Sequence, residues 1–162
     1  EINDLMSLLS SSLKNELEKL NRNNIALKIV GKLEDLPAEL QELIMDVIES
    51  TKNNTGLVLT LALSYGGRQE IVDAINKIIT SDNKRIDEEI FKNYLYAPTM
   101  PDPDLIIRTG GENRLSNFLL WQSAYTEFYF SDKYWPDFNK EDLYEALHDF
   151  QKRERRFGRI NI

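Results

Sequence analysis

Cysteine is absent from this 162-residue chain, which excludes disulfides and thiolate metal sites. One histidine, His148, excludes a zinc cluster built on several imidazoles. The longest apolar stretch, Leu57 to Leu63, is interrupted by Thr60 and is far too short to cross a bilayer. No secretory leader pattern opens the chain, and these absences together suit a cytoplasmic protein. Cationic excess is missing too: a net charge of −7 argues against general affinity for nucleic acid. Glycine and proline are sparse, at seven and five residues, and no linker, repeat or low-complexity tract breaks the chain.

What remains is an ordinary globular composition, 41% apolar and 29% charged. The length fits one domain, residues 1–162, with a sizeable core. The first residue is Glu1, inside a helical pattern, so the sequence reads as the C-terminal portion of a longer protein.

Apolar residues recur at helical spacing from Ile2 to Leu20, and a strand pattern follows over Ile25 to Val30. Pro37 opens a second helix. Leu57 to Ser64 has the near-continuous apolar character of a strand covered on both faces. Helices are expected after Gly67, over Asp87 to Leu95, and over Lys140 to Arg155. Short strands are expected at Asp104 to Arg108 and Glu127 to Phe130. Alternating helices and short buried strands predict an α/β fold with a mainly parallel central sheet flanked by helices. In such sheets ligands bind beyond the carboxyl ends of the strands. Ser64 to Arg68 and Arg108 to Glu112 stand there.

The second of these carries the stronger chemistry. Arg108, Gly110, Gly111, Arg114 and Ser116 fall within nine residues. Guanidinium forks match phosphate oxygens, paired glycines let backbone N–H groups approach an anion, and a serine adds a donor. The competing reading is a tight surface loop whose arginines pair with Glu112 and Asp104, and residue types alone leave the two even. Gly66-Gly67-Arg68 is either a phosphate-binding helix start or a turn in which Arg68 and Glu70 pair locally. It ends without Lys-Ser/Thr, so it is not a P-loop. Glu127, among aromatics, is either a paired acid or a ligand for a hard cation. His148 reads as a structural or surface histidine. The aromatics from Tyr125 to Phe138 read as core or subunit interface rather than a base-stacking platform. Lys152 to Arg159 holds five basic residues and one acid, which suits either a local anionic ligand or the end of a helix dipole.

Ser64-Tyr-Gly-Gly-Arg-Gln-Glu-Ile71, Asp104 through Gln122, Tyr134-Trp-Pro-Asp-Phe138 and Arg153-Glu-Arg-Arg-Phe-Gly158 resemble, in order, the signature blocks of the cis-prenyltransferases of the undecaprenyl diphosphate synthase type. The resemblance runs over essentially the whole chain. It implies a homodimeric enzyme that extends farnesyl diphosphate by successive cis additions of isopentenyl diphosphate, making undecaprenyl diphosphate for cell-wall synthesis. It implies that Arg108, Arg114, Leu115 and Ser116 bind isopentenyl diphosphate, and that Glu127 helps to place Mg²⁺. Arg156 and Gly158 would reach into the partner subunit's site. The growing product needs an apolar tunnel, for which Met6, Leu9, Leu13, Leu57, Leu59 and Leu61 are wall material or ordinary core. The family's N-terminal strand, with the Asp and glycine-rich turn for the allylic diphosphate, has no counterpart here. No catalytic residue is therefore assigned within the chain, and the chain alone is expected to be inactive. A noncatalytic accessory subunit and a short-chain cis-prenyl diphosphate synthase are the alternatives within the resemblance. No membrane-surface helix is evident, so any membrane contact is expected to be peripheral.

Overall fold

The computed structural model describes residues 2–83 and 85–154. The chain forms two compact units, Glu1–Pro98 and Thr99–Ile162.

In the first unit, helix α1 (Ile2–Arg22) leads through a turn into strand β1 (Ala26–Val30). A short 3-10 helix (Leu33–Asp35) and helix α2 (Ala38–Thr51) follow, then strand β2 (Val58–Ala62), helix α3 (Gly67–Ile79) and the short helix α4 (Glu88–Lys92). The apolar stripes of α1 and α2 bury Leu13, Leu20, Leu40, Ile44 and Val47 against Leu27 and Leu36, and this is the core of the unit. Thr51 closes α2 by donating to the Val47 carbonyl at 2.8 Å while its hydroxyl accepts the Leu27 N–H at 3.1 Å, which ties the helix to β1.

β1 and β2 run parallel, Ala26 opposite Val58 through Val30 opposite Ala62. Gly31, at φ +124°, makes the exit from β1: a Cβ there would lie 1.9 Å from the Leu63 carbonyl oxygen. β2 departs from its sequence pattern. It pairs with β1 alone, and Leu57, Val58 and Leu59 are 64%, 50% and 38% exposed. A strand so apolar was expected to be covered on both faces. One covered edge and few neighbours leave it half open instead.

In the second unit, strand β3 (Leu105–Arg108) pairs in parallel with strand β4 (Glu127–Phe130), Leu105 opposite Glu127 and Arg108 opposite Phe130. A 3-10 helix at Trp135–Asp137 precedes helix α5 (Lys140–Lys152). Asn139 and Asp142 close a capping box that fixes the start of α5. Among the described residues the strands stand as two pairs, one in each unit, each pair parallel and accompanied by helices as the α/β pattern predicts. α5 stops at Lys152, with Arg153 extended at φ −78° and ψ 135°, earlier than the charge pattern suggested. α4 is likewise shorter than its apolar pattern, and Asp87 caps it by accepting the Ile90 N–H at 2.9 Å. Among the described residues, no helix is long and apolar enough to cross a membrane.

Candidate functional site

β3 ends at Arg108, and the loop behind it folds back so that Arg108, Arg114 and Ser116 converge. Arg108 Nη1 donates to Ser116 Oγ at 2.7 Å and to the Arg114 carbonyl. Among the described residues no hydrogen bond is made by its Nε or Nη2. Arg114 pairs with Glu112, as the surface-loop reading foresaw, yet its side chain is 62% exposed and able to exchange that partner for a phosphate.

Gly110 and Gly111 have φ of +93° and +73°, a conformation that favours glycine. Their amides are not offered to an anion, contrary to the sequence expectation. Gly110 N–H donates to the Lys133 carbonyl at 2.7 Å and Gly111 N–H to the Ser131 carbonyl at 3.0 Å. The glycine turn fastens the loop to the segment after β4. Ser116, Asn117 and Leu119 also hold positive φ, at 47°, 67° and 45°, a strained run of ordinary residues.

Beneath the arginines lies a cavity of about 260 Å³, whose lining includes Ile106, Leu115, Phe118, Phe128 and Phe130. Strand alternation puts Ile106, Arg108, Phe128 and Phe130 on one face of the β3–β4 pair, and the Phe128 and Phe130 rings stack at 5.9 Å. Glu127 and Tyr129 are on the other face, with α5. The Tyr129 hydroxyl is pushed up by burial and by the carboxylates Glu145, Asp149 and Asp142.

Glu127 is therefore not brought to the arginine loop. It stands at the amino end of the strand pair, three strand residues or roughly 10 Å along from the level of Arg108. Its Oε2 accepts Arg153 Nη1 at 2.8 Å, and Arg153 also grips Asp149. Hydrogen bonds from Arg153 to Glu127 and then to Asp149 raise the guanidinium pKa further. One carboxylate oxygen remains for a cation, and Mg²⁺ is commonly held by one or two carboxylates with substrate phosphates. Among the described residues, no cluster of three or more acidic or imidazole groups could hold a metal by itself. Glu127 thus offers a single carboxylate, and a cation there would need its other ligands from substrate phosphates or water. Arg156 and Gly158 lie outside the described residues.

In the first unit the Ser64–Arg68 turn is built around Glu70. Glu70 is fully buried, accepting Tyr65 Oη at 2.6 Å and the Tyr96 N–H at 3.1 Å, so it anchors the turn from within rather than from the surface. Tyr96 Oη in turn donates to Asp73, and Lys32 holds Asp73 at 2.8 Å. Met6 and Leu9 pack against the core, which includes Leu13, and Leu61 joins them. Leu57 and Leu59 are exposed and wall nothing within the unit. Tyr125, Tyr134 and Trp135 are 74%, 70% and 76% exposed, so they are not core. His148 is exposed on α5.

Arg108 and Arg114 thus line a largely apolar cavity at the carboxyl end of a parallel strand, the place where ligands bind in open α/β sheets. The family described as "Putative undecaprenyl diphosphate synthase" matches residues 1–158. The isoprenyl transferase of Rickettsia typhi is 54% identical over 159 residues, covering 98% of this chain and 70% of that protein. The isoprenyl transferase of Clostridium perfringens is 51% identical over 167 residues, 99% of this chain and 66% of the relative. Among solved structures, a probable undecaprenyl diphosphate synthase from Campylobacter jejuni has a TM-score of 0.89 at 39% identity, over 98% of this chain and 75% of that one. Lavandulyl diphosphate synthase from Lavandula x intermedia, in complex with dimethylallyl diphosphate, has a TM-score of 0.93 at 37% identity, over 98% and 72%. The chain belongs to the undecaprenyl diphosphate synthase family, and its enzyme class is cis-prenyltransferase.

Proposed function

We propose that the enzyme extends farnesyl diphosphate by successive cis condensations with isopentenyl diphosphate, making undecaprenyl diphosphate as the carrier-lipid precursor for cell-wall synthesis. In this reading the present chain supplies the isopentenyl diphosphate site. The observation that carries it is the convergence of Arg108, Arg114 and Ser116 on one loop mouth. Arg108 is oriented by Ser116, so its free N–H edge is aimed before substrate arrives. Arg114 supplies the second positive charge and Leu115 the first apolar contact below it.

Glu127 is the ligand this chain would give to Mg²⁺, which when bound offsets negative charge on a departing diphosphate. Because Glu127 and Arg108 occupy opposite faces and ends of one strand pair, the two serve different groups within a single chain. A homodimer accounts for that separation, and the exposed Tyr125, Tyr134 and Trp135 suit a subunit contact. Arg156 and Gly158 would then serve the partner's site, and any membrane contact of this cytoplasmic enzyme would be peripheral. The relative named lavandulyl diphosphate synthase favours a second reading, a short-chain synthase using the same cradle. An accessory-subunit role is disfavoured by the intact Arg108, Arg114, Ser116 and Glu127.

Calorimetric titration of isopentenyl diphosphate with Mg²⁺ into this chain and an Arg108→Ala/Arg114→Ala variant tests the site. Binding lost in the variant, by about a hundredfold or more for two charged donors, is expected. Equal binding by a folded variant would remove the cradle from the reading.

A further inference from the structure

The cavity under the arginines gives the site a second recognition element. We propose that Phe118, together with Phe130, forms an apolar seat for the five-carbon tail of the diphosphate gripped by Arg108 and Arg114, and so sets selectivity for prenyl over bare diphosphates. This rests on the isopentenyl diphosphate reading of the loop.

Three observations carry it. The cavity, about 260 Å³, is lined by Ile106, Leu115 and Phe128 together with Arg108 and Arg114. Its polarity runs from cationic to hydrocarbon, the complement of a short prenyl diphosphate and a poor match to a bare anion. Phe118 and Phe130, which also line it, are 39% and 41% exposed, so large apolar surface remains to be covered.

The backbone explains why Phe118 is there. In the run Phe118-Leu119-Leu120-Trp121, Leu119 is buried to 7% exposure and takes the place of loop anchor. Ser116, Asn117 and Leu119 adopt positive φ, and the Phe118 N–H returns to the Leu115 carbonyl at 3.1 Å. A relaxed loop would spread this strain. Concentrated beside the cradle, it keeps an aromatic ring at the cavity rather than in the core.

Moving one CH₂ from water to apolar surroundings is worth about fourfold in affinity. Seating two or three of the five carbons predicts that isopentenyl diphosphate binds roughly 15- to 60-fold tighter than inorganic diphosphate. The experiment titrates both ligands into the chain, its Phe118→Ala variant and its Arg108→Ala variant by calorimetry. Phe118→Ala should cut the ratio below about fivefold, leaving inorganic diphosphate within about twofold of its original affinity. Arg108→Ala should weaken both ligands in proportion.

Equal affinities for the two ligands in the unmodified chain would overturn the proposal, as would a Phe118→Ala variant that weakens both alike. Binding of neither ligand would instead remove the diphosphate reading on which it stands. Should Phe118→Ala fold poorly, the heat-capacity change of the unmodified chain decides. It should be more negative for isopentenyl than for inorganic diphosphate, and equal values count against the seat.

Discussion

Arg153 and Glu127, 26 residues apart, meet at 2.8 Å and join the end of α5 to the first residue of β4. The same guanidinium holds Asp149 one turn earlier on its own helix. One side chain thus bridges two carboxylates at the point where the helix ends and the basic segment begins. The side chains of Arg153 and Glu127 are 30% and 32% exposed, intermediate between a solvated pair and a buried one.

Removing the guanidinium therefore leaves two neighbouring carboxylates to repel each other. Arg153→Ala is expected to cost about 1 kcal/mol, since a half-exposed pair lies above the surface median. That is a fall in Tm of a few degrees for a chain of this size. Arg153→Lys should recover less than half, because an ammonium cannot span both acids in the planar geometry a guanidinium offers. Thermal melts of the two variants decide, and full recovery by lysine would show that charge alone suffices.

The parallel strands, the order of the elements and the approximate helix limits were all legible in the sequence. Hydrophobic period and punctuation by Gly31, Pro37 and Pro136 are local signals, and the structure follows them. The meeting of Arg108, Arg114 and Ser116 was legible because they lie within nine residues of one another. Partnerships over distance were not. Nothing local announces that Arg153 would find Glu127, or that Tyr96 would reach back to Asp73 and Glu70. The apolar run of β2 misled for a related reason: composition reports what a strand can bury, not how many neighbours it has.

Asp73 gives a pH prediction. Hydrogen bonds first from Lys32 and then from Tyr96 hold its carboxyl at about 2, below the ordinary 3.8. The unfolded chain thus takes up this proton at higher pH than the folded one. The stabilisation is complete above about pH 4 and fades as pH falls toward 2. Asp73→Asn should lower stability at neutral pH and flatten the acid limb between those values. Urea unfolding at stepped pH measures it, and an unchanged acid limb would mean the bond to Lys32 is not maintained in solution.

Gly31 should be the least replaceable glycine of the first unit. A methyl there meets the Leu63 carbonyl oxygen at 1.9 Å, and backbone cannot swing aside as a side chain can. Positive φ adds its own cost. Gly31→Ala is expected to destabilise by about 3 kcal/mol or more, the range of severe local strain. The Lys32 N–H to Ser64 carbonyl bond at 3.3 Å should open first, and amide exchange at Lys32 would register it. A variant as stable as the parent, with Lys32 still protected, would mean the strand ends are looser than their spacing implies.

Ser116 tests whether the cradle is pre-set or assembled by its ligand. Its hydroxyl accepts Arg108 Nη1 at 2.7 Å while its own proton remains available to a phosphate oxygen. Ser116→Ala removes both the brace and the donor, so isopentenyl diphosphate should bind about tenfold more weakly. Thr keeps the hydroxyl, but a β-branched residue at φ +47° is strained, so Ser116→Thr should lose affinity too. Ser116→Gly separates the two contributions, relieving the backbone while deleting the hydroxyl. If it binds as weakly as alanine, the hydroxyl matters and the backbone does not; if it binds as the parent does, Arg108 needs no brace and the ligand itself gathers the loop.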